Sequence, residues 1–408
     1  AFPTTQVVAA FRAMQQAQHM GKIVVTPAEL PAAPAAQVTT TGQKPDGEST
    51  WLVTGGLSGF GLATARHLAE RGVKHLVLVG RRGASTPGAE RILQEFSVRG
   101  INARAEACDM SDAAAVRMLV ARIAETMPPL RGIVHAAAVF DDRFLAKLDR
   151  RGLEKVLAPK LSGAWHLHEA TLGLPLTHFV LYSSISVALG NPGQGNYVAA
   201  NAGLEGLARL RNGMGLPALC IAWGPVGDAG YLTRHESVKE SLAQHLGKTP
   251  LTSGEAMQAL DAELPRGGVH IRANVDWGTV LRVFPEGASR FSLVGGEEGQ
   301  PERAESSEDI QHLLAGKSPE EVMEIVRRLI TEEVAQVLAL GVAQVAPDRS
   351  VQSMGLDSLM AVELAVGLEQ RIGVRLPAML LQDSPTVDQI AERVVARLAG
   401  TDREEKAD

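Results

Sequence analysis

The sequence predicts an α/β domain, a doubly wound parallel sheet with helices on both faces, followed by a small all-α domain of four helices. Three observations carry this. Between residues 50 and 276 short apolar runs alternate with longer segments of helical periodicity, the rhythm of strands joined by crossover helices. A glycine-rich turn at 54–61 separates the first run from the first helix. From residue 318 onward only amphipathic helical text remains.

Composition narrows the class. The chain has 408 residues, 45% hydrophobic and 21% charged, with a formal net charge of −6. That is room for one domain of about 250 residues and a small one. The acidic balance offers no field for nucleic acid. No apolar run approaches the ~20 residues of a membrane span, and the first residues lack the basic start and apolar core of a secretory leader. Cys108 and Cys220 are the only cysteines, each in an apolar context, and read as buried thiols of a cytoplasmic protein. No metal site is predicted. The first residue is Ala1 rather than Met, so the chain reads as a piece of a longer or a processed polypeptide.

Taken in order, residues 5–21 carry Val7, Val8, Phe11 and Met14 at helical spacing up to Gly21, and Lys22-Ile23-Val24-Val25 read as a short strand. The expected division is a first unit at 1–30, a Pro/Ala-rich and polar linker at 31–48, the α/β domain at 49–285, a linker at 286–317, the helical domain at 318–400 and a charged tail at 401–408. Strands are expected at 51–53, 75–79, 103–108, 132–135, 179–182, 218–223 and 268–276. Helices are expected at 59–70, 89–99, 112–126 and 152–172, after Tyr197, and within the polar stretch 226–262. The acidic linker at 286–317, poor in aromatics, reads as a flexible coil, with an end-to-end distance of roughly 30 Å. In the last domain Ser318-Pro319-Glu320-Glu321 is a capping box with Pro at the first helical position. Gly341 is expected to stop that helix, a second runs from 358 to 372 before Gly373, and Thr386-x-x-Gln389 caps a third through Leu398.

The turn Thr54-Gly55-Gly56-Leu57-Ser58-Gly59-Phe60-Gly61 lies between a strand and a helix, the context of a Rossmann-like dinucleotide loop. Glycines let the backbone approach a pyrophosphate, and the helix start supplies amide hydrogens. The next strand ends Val79-Gly80-Arg81-Arg82. An acidic residue there would grip the ribose of NAD, whereas Arg81 offers a cationic fork for a 2′-phosphate, so NADPH is expected. Asp109 has two readings: it accepts a hydrogen bond from an adenine amine, or it caps the helix near 112.

A carbonyl reductase needs a group that polarises oxygen and then protonates it. Ser184 ends a strand and Tyr197 opens the next helix thirteen residues later, so both can converge beyond the carboxyl end of the sheet. A phenol is a poor acid at neutral pH without a nearby cation. The usual short-chain reductase has Lys four residues after Tyr; here that position is Asn201, which leaves Lys160 as the candidate cation.

On Thr54–Gly61, Gly80-Arg81-Arg82, Asp109, His135-Ala136-Ala137-Ala138, Lys160, Ser184, Tyr197 and Asn201, residues 49–285 resemble the ketoreductase domains of polyketide synthases. In that family Lys and Asn have exchanged places, as here. The resemblance implies that Tyr197 donates the proton, Ser184 holds the carbonyl oxygen, and Lys160 and Asn201 sustain Tyr197 and a relay water. It implies NADPH as hydride donor to a β-ketoacyl thioester, with Arg82, Met110, Ala136 and Ala137 also lining the cofactor. Phe140-Asp141-Asp142 resembles the Leu-Asp-Asp motif of the members that form the D-configured alcohol, and Leu189 stands where the opposite type has Trp. Asp142 is therefore the stereocontrol candidate, against the plainer reading that both aspartates cap the following helix. Ala222-Trp223-Gly224-Pro225 resembles the start of the family's lid.

Gly355-Leu356-Asp357-Ser358-Leu359, within four apolar-striped segments, resembles an acyl carrier domain, which implies 4′-phosphopantetheine on Ser358 and a phosphopantetheinyl transferase as partner. Residues 2–25 resemble the end of an enoylreductase. The implied whole is a reducing polyketide synthase with ketosynthase, acyltransferase, dehydratase and enoylreductase domains upstream. The expected function is NADPH-dependent β-keto reduction of a carrier-bound acyl chain.

Overall fold

The computed structural model describes residues 45–283 apart from 192, 231 and 235, and residues 317–398 apart from 339, 357, 375, 377–380 and 382–384, together with 2–3, 6, 8–9, 11–12, 25–26 and 291. Of the expected linkers at 31–48 and 286–317, all but 45–48, 291 and 317 lie outside the described residues, as do the tail at 401–408 and most of the helix at 5–21. Near the N-terminus Phe2–Pro3 pairs in parallel with Val25–Thr26.

Seven strands form one all-parallel sheet: β1 Thr50–Thr54, β2 His75–Gly80, β3 Asn102–Ala107, β4 Leu130–His135, β5 His178–Ser184, β6 Leu219–Trp223 and β7 Gly268–Arg272. Their order is β3-β2-β1-β4-β5-β6-β7, the doubly wound arrangement with its switch point between β1 and β4. Five of the crossovers carry α1 Gly59–Glu70, α2 Ala89–Val98, α3 Ala113–Thr126, α4 Arg150–Leu157 with α5 Gly163–Ala170, and α6 Ser186–Leu189 with α7 Gly195–Gly213. The last carries α8 Glu236–Leu246 and α9 Ser253–Glu263, and α10 Trp277–Val283 follows β7.

Both sheet faces are covered, which is why the central strands read as continuous apolar runs rather than alternating ones. Trp51, Val53, Leu76 and Leu78 pack with Leu68 of α1, Phe96 of α2 and Leu260 of α9. Leu52, Val77, Ile133, Phe179 and Leu181 pack on the other face with Val116 of α3, Leu167 of α5 and Leu204 of α7. Glycine is required at 132: a Cβ there would lie 2.1 Å from the Trp51 ring.

The helix expected as one piece at 152–172 is interrupted. Residues 158–162 form a π-helical turn between α4 and α5. Pro159, which has no amide hydrogen to give, sits inside it. Such single-turn bulges redirect a side chain, and here the side chain is Lys160. Asp112, not Asp109, caps α3 by accepting from Ala114 N and Ala115 N. Asp149 caps α4 through Gly152 N at 2.7 Å, so neither Asp141 nor Asp142 serves as that cap.

In the C-terminal part the described α-helices are α11 Pro319–Val337, α12 Ser358–Ile372 and α13 Val387–Leu398, with short 3₁₀ turns at Val342–Gln344 and Gln352–Met354. The Ser318/Glu321 capping box forms as expected. Gly373 ends α12 at φ 72°. Thr386 and Gln389 exchange hydrogen bonds at 3.0 and 3.2 Å to cap α13. Val326, Ile330 and Val334 of α11 meet Leu364 and Leu368 of α12 and Ile390 and Val394 of α13 in one buried core. Gly367 lets α12 approach α11, since a Cβ there would overlap Glu333. No helix among the described residues is long and apolar enough to cross a membrane.

Candidate active site

A cleft of about 1400 Å³ opens beyond the carboxyl ends of β1, β2, β4, β5 and β6, where ligands of open α/β sheets gather. Gly55, Ser58, Gly59, Phe60, Gly61, Arg81, Arg82, Asp109, Met110, Ala136, Ala137, Asp142, Lys160, Ser184 and Tyr197 all line it. Thr54, Gly56 and Asn201 stand just behind its wall.

The loop at its far end has no room for a Cβ at its glycines. Gly55 and Gly59 take φ of 70° and 53°, and a Cβ on Gly61 would lie 2.4 Å from Gly55 O. The chain therefore turns tightly into α1, whose first amides have no partner within the helix. Arg81 and Arg82 are both exposed. Asp109 accepts from Ser111 N and Ser111 Oγ. The Ser111 hydroxyl first, with Arg81 nearby as a lesser cause, holds the Asp109 carboxyl below the usual range.

Thr54 connects this end to the other. Its Oγ1 accepts from Ala136 N and Ala137 N, both at 3.1 Å. It lies 2.9 Å from His135 Nδ1, while His135 Nε2 lies 2.8 Å from Lys160 O. A carbonyl only accepts, so Nε2 carries the imidazole proton and Thr54 donates to Nδ1. Burial, then the Lys160 charge, press His135 down from 6.5 to about 4. The unfolded chain therefore binds a proton that the fold refuses as pH falls from about 6.5 to about 4. This costs on the order of 3 kcal/mol of stability across that window and nothing above it. Urea unfolding is expected to show that acid slope in the native chain and a shallower one in His135→Gln; equal slopes would remove His135 from the account.

Lys160 is buried, 2% exposed. Its Nζ donates to Tyr182 O at 2.9 Å and lies 5.3 Å from the centre of the Tyr197 ring. Burial pushes it down to about 8. Burial raises the Tyr197 phenol, while Asn201 and Ser184 draw it back down. Ser184 Oγ accepts from Ser186 N at 3.2 Å, which leaves its own hydrogen available. Asn201 Nδ2 donates to Tyr197 O at 2.8 Å, and its Oδ1 is buried without a partner among the described residues.

Opposite Tyr197, the ring of Phe140 stands 4.9 Å away and tilted by 34°. Asp141 pairs with Lys155 at 3.0 Å and Arg143 at 3.1 Å. Asp142 accepts from Gln194 Nε2 at 3.0 Å, and burial raises its carboxyl. Sequence reasoning missed Asn196. Fully buried, it donates to Asp141 O at 2.8 Å and Gly152 O at 3.2 Å and accepts from Tyr197 N at 2.8 Å. It thereby fixes the Asp141 loop, α4 and the start of α7 relative to one another. Its position beside Tyr197 was the only signal in the sequence.

Comparison with known proteins agrees with this geometry. Residues 49–228 match the KR domain model, and residues 328–394 match the model for a phosphopantetheine attachment site. The chain carries a polyketide-synthase ketoreductase domain and a carrier domain. It is 35% identical over 412 residues to a phenolphthiocerol synthesis polyketide synthase of Mycobacterium bovis, covering 98% of this chain and 19% of the relative. It is 37% identical over 400 residues to an erythronolide synthase of Saccharopolyspora erythraea, covering 96% of this chain and 10% of the relative. The chain thus spans about a fifth or less of these relatives. Among solved structures it resembles an A1-type ketoreductase at 36% identity and TM-score 0.56, covering 63% of this chain and 52% of that one. It also resembles the first ketoreductase of the tylosin synthase, at 32% identity and TM-score 0.54, covering 65% of this chain and 56% of that one.

Within the ketoreductase domain every site residue expected from sequence lies in or directly behind the cleft. Among the described residues no cluster of three His, Cys, Asp or Glu could hold a metal ion. In the carrier domain Ser358 opens α12, after Gly355 at φ 111° and the buried Leu356. Asp357 lies outside the described residues.

Proposed function

We propose that the chain reduces the β-keto group of an acyl chain held on 4′-phosphopantetheine at Ser358, with NADPH as the reductant, giving a D-configured β-hydroxyacyl thioester. The observation that carries this reading is the meeting of Ser184, Tyr197 and Lys160 on one wall of a cleft whose other end is the glycine-rich loop and Arg81. The two ends suit one extended dinucleotide. The loop's glycines would let a pyrophosphate approach the backbone, and Arg81 offers a planar fork to a 2′-phosphate. When bound, the cofactor supplies a hydride.

The protein supplies the rest. Ser184, accepting from Ser186 N, donates to the ketone oxygen. Tyr197 keeps its proton in a buried setting and releases it as charge develops on that oxygen. The Lys160 ammonium, over the face of the phenol ring, favours the phenolate that remains. Asn201 Oδ1 is placed to hold a relay water. Phe140 against Tyr197 and Asp142 on Gln194 form the side wall that supports the D product. The A1 type is a property of a solved neighbour; Phe140-Asp141-Asp142 and Leu189 are the features of this chain that bear on configuration. The carrier's partners would be a phosphopantetheinyl transferase and ketosynthase, acyltransferase, dehydratase and enoylreductase domains of one synthase.

The test is turnover of a β-ketoacyl N-acetylcysteamine thioester with NADPH, followed by chiral analysis of the alcohol. No NADPH oxidation would overturn the reading, and an L alcohol would overturn its stereochemical part. Arg81→Ala is expected to weaken NADPH by about 2 kcal/mol, roughly thirtyfold, and leave NADH unchanged. Fluorescence titration of both nucleotides checks it; an equal loss for NADH would place Arg81 elsewhere.

A further inference from the structure

A lysine can support a phenol only while its ammonium stays over the ring, and its long flexible stem gives it many ways to leave. Two anchors on neighbouring strands hold Lys160. At the tip, Nζ donates to Tyr182 O on β5 at 2.9 Å. At the root, His135 on β4 donates Nε2–H to Lys160 O at 2.8 Å. The two strands are paired, with His135 opposite Leu181, so both anchors come from one end of the sheet's centre. The root needs holding because the chain there is not a regular helix. Gly163 N bonds back to Ala158 O, one residue further than an α-helix reaches. The turn is pressed close against β4: a Cβ on Gly163 would lie 2.8 Å from Met110 Cβ and 3.3 Å from His135 Cε1.

The donor is directed as well as placed. An imidazole can carry its proton on either nitrogen. Thr54 Oγ1 already accepts from Ala136 N and Ala137 N, so its own hydrogen goes to His135 Nδ1 at 2.9 Å. The ring hydrogen is thereby kept on Nε2, facing the Lys160 carbonyl. His135 is fully buried, and an apolar residue would fill its space without the cost of burying a polar ring. We propose that His135 is the positioning residue for Lys160, fixing the π-helical turn from which the ammonium reaches the Tyr197 ring. This rests on the reductase reading above. No proton leaves His135, which burial keeps neutral at working pH. The groups facing the ammonium are His135 on β4, Tyr197 on α7 and Cys220 on β6. Burial lowers Lys160 to about 8, so in the native chain kcat is expected to fall as pH rises through about 8 and the ammonium is lost. An ammonium freed from the turn regains water and returns toward its ordinary pKa of about 10.4.

The test uses the whole chain with NADPH and a β-ketoacyl N-acetylcysteamine thioester. Turnover by the native chain tests the reductase reading; only the variants test the positioning. His135→Gln places an amide N–H at the reach of Nε2, while His135→Asn stops at the reach of Nδ1, and neither amide titrates. His135→Asn is expected to lower kcat about ten- to a hundredfold through misplacement of the ammonium, with KM unchanged and the alkaline fall of kcat moved to higher pH. His135→Gln is expected to restore both the rate and the position of that fall. A slower His135→Asn with an unmoved alkaline fall would make His135 a structural residue and overturn the proposal. An undiminished rate in His135→Asn, or equal losses in both variants, would overturn it too. If His135→Asn does not fold, Thr54→Val and Thr54→Ser decide. Val removes the hydroxyl that keeps the ring proton on Nε2 and is expected to give the same raised alkaline fall. Ser is expected to restore it, and identical pH profiles for the two would overturn the proposal.

Discussion

Replacing Tyr197 with Phe is expected to abolish thioester reduction while leaving the site assembled. The substitution removes one oxygen. The ring keeps its place against Phe140 at 4.9 Å and beneath Lys160 Nζ at 5.3 Å. Asn201 Nδ2 donates to the Tyr197 carbonyl, which Phe retains, and Asn196 holds the Tyr197 amide, so α7 keeps its start. NADPH binding and the unfolding midpoint are expected to match the native chain. Only the proposed proton donor is gone, and loss of a positioned general acid lowers kcat by about 10²- to 10⁴-fold. Stopped-flow or steady-state NADPH oxidation measures it. A residual rate within about tenfold of native would mean that another group protonates the alkoxide, and the assignment of Tyr197 would fall.

The second large effect is expected from Ser358→Ala. Incubation with coenzyme A and a phosphopantetheinyl transferase is expected to add the mass of one phosphopantetheine to the native chain and none to the variant. Reduction of a carrier-bound β-ketoacyl group is then lost entirely, while the free N-acetylcysteamine thioester is reduced as before. The two substrates separate because the arm raises local substrate concentration to about the millimolar range without adding a contact in the cleft. The helix tolerates the change. Leu356, Leu364 and Leu368 remain in the carrier core, and a lost serine at a helix start costs about 1 kcal/mol. A mass gain in the variant would put the attachment point at another hydroxyl.

The resemblance read in the sequence and the architecture agree in detail because both follow local rules. The five central strands appear within a few residues of the apolar runs that announced them, since strands buried on both faces must be apolar throughout; the edge strands Asn102–Ala107 and Gly268–Arg272 are only partly buried and carry polar residues. The glycine loop was legible because no other residue fits its backbone: Gly61 has no space for a Cβ. The capping boxes at Ser318 and Thr386 formed because a helix start leaves amides that only nearby side chains can satisfy. The helix expected at 152–172 was misread as continuous because its periodicity survives the π-helical turn that Pro159 occupies.

Sequence alone determined the succession of strands and helices along the chain, the glycine-rich loop, the Tyr197 and Ser184 pair and the serine at the start of α12. Each is a matter of residues adjacent in the chain or one element apart. Tertiary structure decided what holds them in place. His135 joins Thr54 to the Lys160 turn across 81 and 25 residues. Asn196 joins the Asp141 loop to Tyr197 across 55 residues. Burial then lowers Lys160 to about 8. Spacing along a chain encodes period and local turn, whereas desolvation and long-range hydrogen bonds exist only once distant strand ends are brought together.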